Sequence, residues 1–331
     1  MRYVCLLIFC LTQIKFYAQG CCSGGSGSPI AGGASQGVLQ ERQMETAISH
    51  QFVSTNHFYV KDRDTTALFN QFFSNYIYAK VAYGITKNLT MSLESGYFIN
   101  KTQYGLAKKD TVRSGGIADL IIFPRYNIYT KNTEETKTEI TLGMGVKLPL
   151  GKCNDSTVVY RNPINNIKYY TTAPPTIQTT NGSQDFIFYG FCFKSYTEKK
   201  FRIFANMFYI KKGWNPLGQK FGDYAAIGLF AGKTIYKKIG LTLQVRGEFI
   251  AKMQYDKKLD MLALYNIDVN STGSRKIFVS PQISYTAKNI TAFVLYEYPL
   301  YQYLNGTQVG SQMQFTTGLS YRFFIKKKIQ S

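Results

Sequence analysis

The stretch Glu139-Ile140-Thr141-Leu142-Gly143-Met144-Gly145-Val146-Lys147-Leu148 decides the fold. Its apolar residues (Ile140, Leu142, Met144, Val146, Leu148) alternate without a break with polar or small ones. A β-strand turns successive side chains to opposite faces, so this stretch has one greasy face and one wet face. The same alternation recurs from about Met44 to Phe324: Leu89-Met91-Leu93 against Thr90-Ser92-Glu94, and Leu241-Leu243-Val245 against Thr242-Gln244-Arg246. A tilted strand of about ten residues crosses a bilayer core. Many of them in a row, behind an export signal, predict an all-β chain folded as a transmembrane antiparallel β-barrel.

Twelve segments carry the pattern: Gln43–Val53, Gln71–Tyr83, Asn88–Ile99, Gly116–Tyr129, Lys137–Pro149, Gln184–Phe193, Phe201–Ile210, Asp223–Ile235, Leu241–Gln254, Lys276–Ala287, Ile290–Tyr298 and Val309–Phe324. The expected count is about 12, within a range of about 10–14, because Thr157–Tyr160 and Lys168–Thr172 could add an external hairpin. Connections alternate in length. Gly84–Lys87, Thr130–Thr136, Lys194–Lys200, Tyr236–Gly240 and Lys288-Asn289 are short; Ser54–Asn70, Asn100–Gly115, Leu150–Ser183, Lys211–Gly222, Tyr255–Arg275 and Pro299–Gly310 are longer. Short periplasmic turns and long external loops give this rhythm. Hydrocarbon tolerates no open sheet edge, so the last segment should pair with the first.

The composition agrees. Phe and Tyr number 24 and 26, a load suited to the aromatic girdles of a barrel. Net charge is +20, yet the lysines scatter through loops and turns, which argues against nucleic acid and for anionic lipid and lipopolysaccharide as counter-charges. The longest apolar run, Tyr3–Leu11, falls short of the roughly 18 residues of a membrane helix.

Residues 1–20 read as a signal peptide: Arg2, an apolar core, then Ala18-Gln19-Gly20 as a cleavage site. Cleavage there leaves Cys21 first, which raises lipidation of Cys21, although Ala18 stands where a lipidation box usually carries Leu. Residues 21–42 form a Gly/Ser-rich segment, a periplasmic tether or a partial plug with Pro29-Ile30 and Val38-Leu39 as small apolar anchors. The barrel occupies 43–325, and 326–331 is a basic tail. Cys21-Cys22 is vicinal, and Cys153 and Cys192 are isolated, so neither a zinc site nor a disulfide framework is expected. No cofactor or metal is implied.

Only His50 and His57 are available as imidazole bases, and no Gly-x-Ser-x-Gly, His-Glu-x-x-His or phosphate-binding glycine motif is present, so an enzyme is not expected. With Leu, Ile and Val facing lipid, the parity places Glu94, Asp119, Arg125, Glu139, Lys147, Arg246, Glu248, Glu297 and Arg322 in the lumen, with Asn127, Lys252, Gln282, Gln312 and Gln314. Arg or Lys at mid-bilayer costs about 2–4 kcal/mol, which favours that placement. These residues read as a salt-bridge lattice or as a polar permeation path. Tyr97, Phe98, Tyr104, Phe208, Tyr209, Trp214, Tyr298, Tyr301 and Tyr303 read as girdle or loop-packing residues, or as an apolar entry site. Gly318, Tyr321 and Phe323 stand at the spacing of a last-strand insertion signal, which makes the barrel assembly machinery an expected partner.

Four segments carry a family resemblance: Gly116-Ile117-Ala118-Asp119-Leu120-Ile121-Ile122-Phe123-Pro124-Arg125-Tyr126, Leu142-Gly143-Met144-Gly145-Val146-Lys147-Leu148-Pro149-Leu150-Gly151, Gly182-Ser183-Gln184-Asp185, and the stretch from Pro299 to Gln308. In this order they resemble the outer-membrane barrels grouped as the phenol-degradation MetA-pathway transporter family, and Cys21-Cys22-Ser23-Gly24-Gly25 looks like the start of Bacteroidetes-type members. Ala118 and Leu150 stand where Gly and Thr are commoner. The resemblance implies passive uptake and supplies no catalytic residues. The sequence thus leads to a monomeric channel of the bacterial outer membrane for small solutes, with hydrophobic or aromatic ones as a candidate class. Its rivals are a structural or surface-interaction barrel with a closed lumen and, behind it, a lipid-modifying or proteolytic barrel enzyme.

Overall fold

The computed structural model describes residues 37–106, 111–236, 238–256 and 268–325. The expected signal peptide, Cys21 and the tail Lys326–Ser331 fall outside them. Twelve long strands build the molecule: β1 (Gln43–Thr55), β2 (Gln71–Gly84), β3 (Leu89–Tyr104), β4 (Leu120–Asn132), β5 (Thr136–Leu148), β6 (Asp185–Tyr196), β7 (Phe201–Lys211), β8 (Tyr224–Ile235), β9 (Ile239–Ile250), β10 (Ser274–Ala287), β11 (Ile290–Val309) and β12 (Met313–Phe324). Each pairs antiparallel with its neighbours in sequence. The ring closes where β12 meets β1, in register from Gln43↔Phe324 to Ser54↔Met313. A closed twelve-stranded antiparallel barrel leaves no backbone edge unpaired, which is why the alternating pattern can be satisfied all the way round.

The pattern sets the facing. On β9, Leu241, Leu243 and Val245 are 40, 50 and 43% exposed while Thr242, Gln244 and Arg246 are 5, 9 and 6%. Leu93, Leu142, Met207, Leu229, Ile283 and Leu319 extend the outward set round the ring. So broad an exposed apolar belt is foreign to a water-soluble surface and suits hydrocarbon.

Several boundaries differ from the sequence reading: β3 runs on to Tyr104 and β9 stops at Ile250, and two further differences shape the mouth. Pro299–Gly310 was expected to be a loop, but β11 runs on to Val309 and leaves a short turn before Met313. Asn305-Gly306 looks like a turn, yet Gly306 takes φ +65 as a register shift within the strand, between Leu304 and Thr307. The extension pairs with Phe58–Lys61, which folds back on Arg63–Thr65 to make a raised flap. Gly116 and Ile117 belong to a short strand, Val112–Ile117, on β3, and the chain breaks at Ala118-Asp119 before β4. Asp119 is drawn out of the ladder by Lys147, 2.6 Å away.

Candidate functional site: the barrel lumen

The interior is divided round its circumference. From β9 through β12 and β1 to β3, inward positions are mostly polar. Arg246 donates to Glu297 over 2.7 Å and lies 3.7 Å from Glu248. The Tyr224 hydroxyl donates to Glu248 and that of Ser280 to Glu297. Glu45 is held between Lys80 and Arg322, each at 2.5 Å. Glu94 accepts hydrogen bonds from Tyr78 and Ser92. Removing a charge from water costs several kcal/mol unless a partner and further hydrogen bonds compensate, so these groups come in sets.

From β4 to β8 the inward positions add rings to polar groups such as Arg125, Asn127, Thr141 and Asn206. Phe123, Tyr189, Phe191, Phe204, Phe208 and Phe230 form one buried cluster with Ile187 and Ile210. Phe204 stacks on Phe230 at 4.2 Å between centroids; Tyr189 meets Phe208 at 4.7 Å and Phe123 edge-on at 5.5 Å. Offset and edge-on pairs are the geometries that ring quadrupoles favour.

At the long-loop end the connection between β5 and β6 first rises as a hairpin, Ser156–Arg161 with Lys168–Thr172, outside the barrel ring. It then turns inward. Ala173, Pro174 and Thr176 to Thr180 are buried, and Ile177 is fully so. Ile177 packs against Val53 of β1, Phe72 of β2, Phe58 and Phe69 of the connection between them, and Val309 of β11. Those elements lie across the ring from β5 and β6, so this return arm spans the mouth. Lys101 of β3 donates to the Gln178 carbonyl over 2.7 Å, and Thr180 donates to Asp119. The base of the arm is fixed by Lys147 between Asp119 (2.6 Å) and Asp185 (2.8 Å), with Lys212 3.0 Å from Asp185. A cavity of about 570 Å³ opens between the loop and the 212–223 connection, lined by Tyr170, Pro174, Asn181, Leu217 and Phe221 among others. Cys153 lies on its wall, and burial pushes its thiol pKa up.

At the short-turn end residues 37–40 enter the barrel. Leu39 is buried, its N–H donates to Thr90 over 2.7 Å, and Gly37 stands against Glu139 and Phe191. They bound a cavity of about 280 Å³ whose walls include Glu45, Arg125, Glu139, Phe193 and Arg322.

Of the nine residues assigned to the lumen from parity, Glu94, Arg125, Lys147, Arg246 and Glu297 are buried, and Asp119, Glu139, Glu248 and Arg322 are half-buried. They do not form one constellation. Arg246, Glu248 and Glu297 share a network; Lys147 and Asp119 belong to the loop base; Arg322 serves Glu45; Glu139 pairs with Lys137 at 2.6 Å. Lys252 lies beyond β9 and is exposed, which removes it from the lumen. Phe98 and Phe208 are interior, not girdle residues: Phe98 packs on Tyr76 and Phe208 on Tyr189, while Tyr97 and Tyr209 beside them point out. The parity reading missed Glu45, Lys80 and Asp185. Lys80 carried a signal, since it sits between outward Ala79 and Val81. His50 and His57 are exposed, against Asn75 at 3.2 Å and Asp64 at 3.4 Å. On β12, Gly318 lies under the Phe293 ring, Tyr321 faces outward, and its ring stacks on Phe323.

No family model matches the chain, and no curated protein matches it in sequence. Among solved structures, an outer membrane channel from Pseudomonas putida F1 superposes with a TM-score of 0.65 at 10% identity, covering 88% of this chain and 99% of that one. The NanC porin (TM-score 0.44, 11% identity, 84% and 98% covered) and the translocator domain of the autotransporter NalP from Neisseria meningitidis (0.45, 9%, 86% and 90%) are looser likenesses. At such identities the first likeness is one of fold, and the other two carry no further argument.

Proposed function

We propose that this chain is a monomeric channel of the bacterial outer membrane that passes small solutes passively, with its long loops outside and its short turns in the periplasm. The observation that carries the reading is the return arm 173–180: a buried, specifically bonded segment laid across the mouth of a barrel whose interior is lined for amphipathic cargo. A barrel that served only as a scaffold has no need of a wall that is aromatic on one side and charged on the other. Glu94, Asp119, Arg125, Glu139, Lys147, Arg246, Glu248, Glu297 and Arg322 line or brace the path. The rings from Phe123 to Phe230 favour hydrophobic or aromatic solutes. Gly318, Tyr321 and Phe323 serve insertion by the assembly machinery. The apolar belt and the fold shared with a channel support the location.

Planar-bilayer conductance tests this. The Ala173 N–H donates to the Asp155 carbonyl over 2.7 Å, so the outer hairpin between them can be excised with little strain. Its removal should leave conductance nearly unchanged. Replacing residues 174–179 with a Gly/Ser linker should raise conductance several-fold while the barrel still folds. If neither variant nor the intact protein conducts, the closed structural barrel takes the channel's place.

A further inference from the structure

We infer that the short-turn end of β7 to β10 holds a binding site for the carboxylate of an organic acid, centred on Arg202. The site goes beyond the channel reading by naming an anionic headgroup, and it rests on that reading for its role in transport. Arg202 is half-buried on the inner face of β7, and its side chain lies across β8 to reach β9. Nε stands 2.9 Å from where a Cβ would sit on Gly232, and Nη2 stands 3.5 Å from the same position on Gly240. Hydroxyls frame it: Thr242 Oγ1 is 3.0 Å from the Gly232 position and Ser284 Oγ 2.6 Å from the Gly240 position. Side chains at either glycine would displace this group.

Arg202 Nε and Thr242 Oγ1 are both buried and both lack a hydrogen-bond partner. Among the described residues no carboxylate pairs with Arg202, whereas Lys80, Lys147, Arg246 and Arg322 each have one. Buried donors left unmade are costly, and a cation set apart from this lattice of pairs is the natural partner of an incoming anion. A carboxylate presents two oxygens to the edge of a guanidinium, with capacity left for a hydroxyl. The neighbouring step of the wall says what the carboxylate should carry. Arg202 pairs with Gly232 in register and Phe204 with Phe230, so the stacked rings occupy the next inward step of the wall, with the Phe230 ring over Gly228. An organic acid held on Arg202 could extend its apolar ring or chain along the wall toward Phe204 and Phe230.

The test uses the purified full barrel in detergent, with sodium benzoate, benzyl alcohol and acetate titrated calorimetrically. Benzoate should bind more tightly than either comparator. Arg202→Gln should weaken benzoate by about tenfold or more and leave benzyl alcohol unchanged; Arg202→Lys should keep part of the preference. Thr242→Val should weaken benzoate by about threefold, and it decides the matter if Arg202→Gln does not fold. Equal binding of benzoate and benzyl alcohol by the intact protein, or undiminished benzoate binding by the folded Arg202→Gln variant, overturns the site. A barrel that conducts yet lacks the preference loses this site and keeps the channel. One that binds benzoate without conducting keeps the site and loses the channel.

Discussion

The lumen wall from β9 to β3 and the wall from β4 to β8 share one strand period and are held by different forces. In the first, the outer face is apolar and the inner face charged, as with Val245 beside Arg246. In the second, rings take many of the inward places, and on β6 both faces are apolar: Phe186 and Phe188 point out while Ile187 and Tyr189 point in. Charge pairing is all-or-none, because one missing partner strands the other in a poorly solvated place. Ring packing is graded, because each methylene or contact removed costs its own increment. Substitutions should therefore act abruptly on the charged arc and incrementally on the aromatic one.

Arg246→Ala gives the largest expected effect. It leaves Glu297 and Glu248 without their cation and removes a guanidinium that lies 4.8 Å over the Phe278 ring. The loss should be about 3–5 kcal/mol in an equilibrium urea titration of the folded barrel. Replacing Arg246, Glu248 and Glu297 together with Met, Gln and Met should recover most of it, since no charge is then stranded. If the triple variant is as unstable as the single one, pairing is not what distinguishes this arc.

The same contrast explains what could be read from the sequence. On β9 and β5 a polar inner face makes the period of two visible, so Leu241, Leu142 and their inward neighbours declare themselves. On β6 and β7 the inner rings erase that contrast. Phe208 looked like a girdle residue because nothing in Met207-Phe208-Tyr209 says which side is wet. The return arm was legible only as length and proline content. Ile177 is a single apolar residue among Thr and Gln, and its burial comes from contacts across the ring that no local period encodes. Residues 37–40 are alike in this: their place inside the barrel is set by Thr90, Glu139 and Phe191, far off in sequence.

A smaller effect sharpens the aromatic side. Phe204 and Phe230 are stacked with an interplanar angle of 16°. Leucine keeps most of the volume at either position and removes the ring pair. A double-mutant cycle with Phe204→Leu and Phe230→Leu should return a coupling of about 0.5–1.5 kcal/mol. A coupling as large as that of a broken buried ion pair would mean that this arc, too, fails abruptly.

The smallest effect concerns the rim, where the aromatic arc is tied to its loops by charge. Asp223 stands just outside β8. Burial works to raise its pKa and is outweighed by donation from Lys211 Nζ (2.8 Å), the Lys212 N–H (2.9 Å) and the Tyr209 hydroxyl (3.0 Å), which hold the carboxyl below its ordinary 3.8. A carboxylate whose folded pKa is lowered contributes its stabilisation in full above the unfolded value and loses it as pH falls through the folded one. The tie should therefore be intact at pH 7 and loosen only below about pH 3.8. Hydrogen exchange, corrected for its intrinsic pH dependence, should show the 212–222 connection opening in acid in the native protein. In Asp223→Asn it should already be more open at pH 7 and change little on acidification. The ring cluster behind it should be equally protected in both, because no carboxylate or imidazole belongs to it. Acid loosening that spreads from the rim to Phe204 and Phe230 would show the two arcs to be coupled through their charges after all, and the division drawn here would give way to a single cooperative wall.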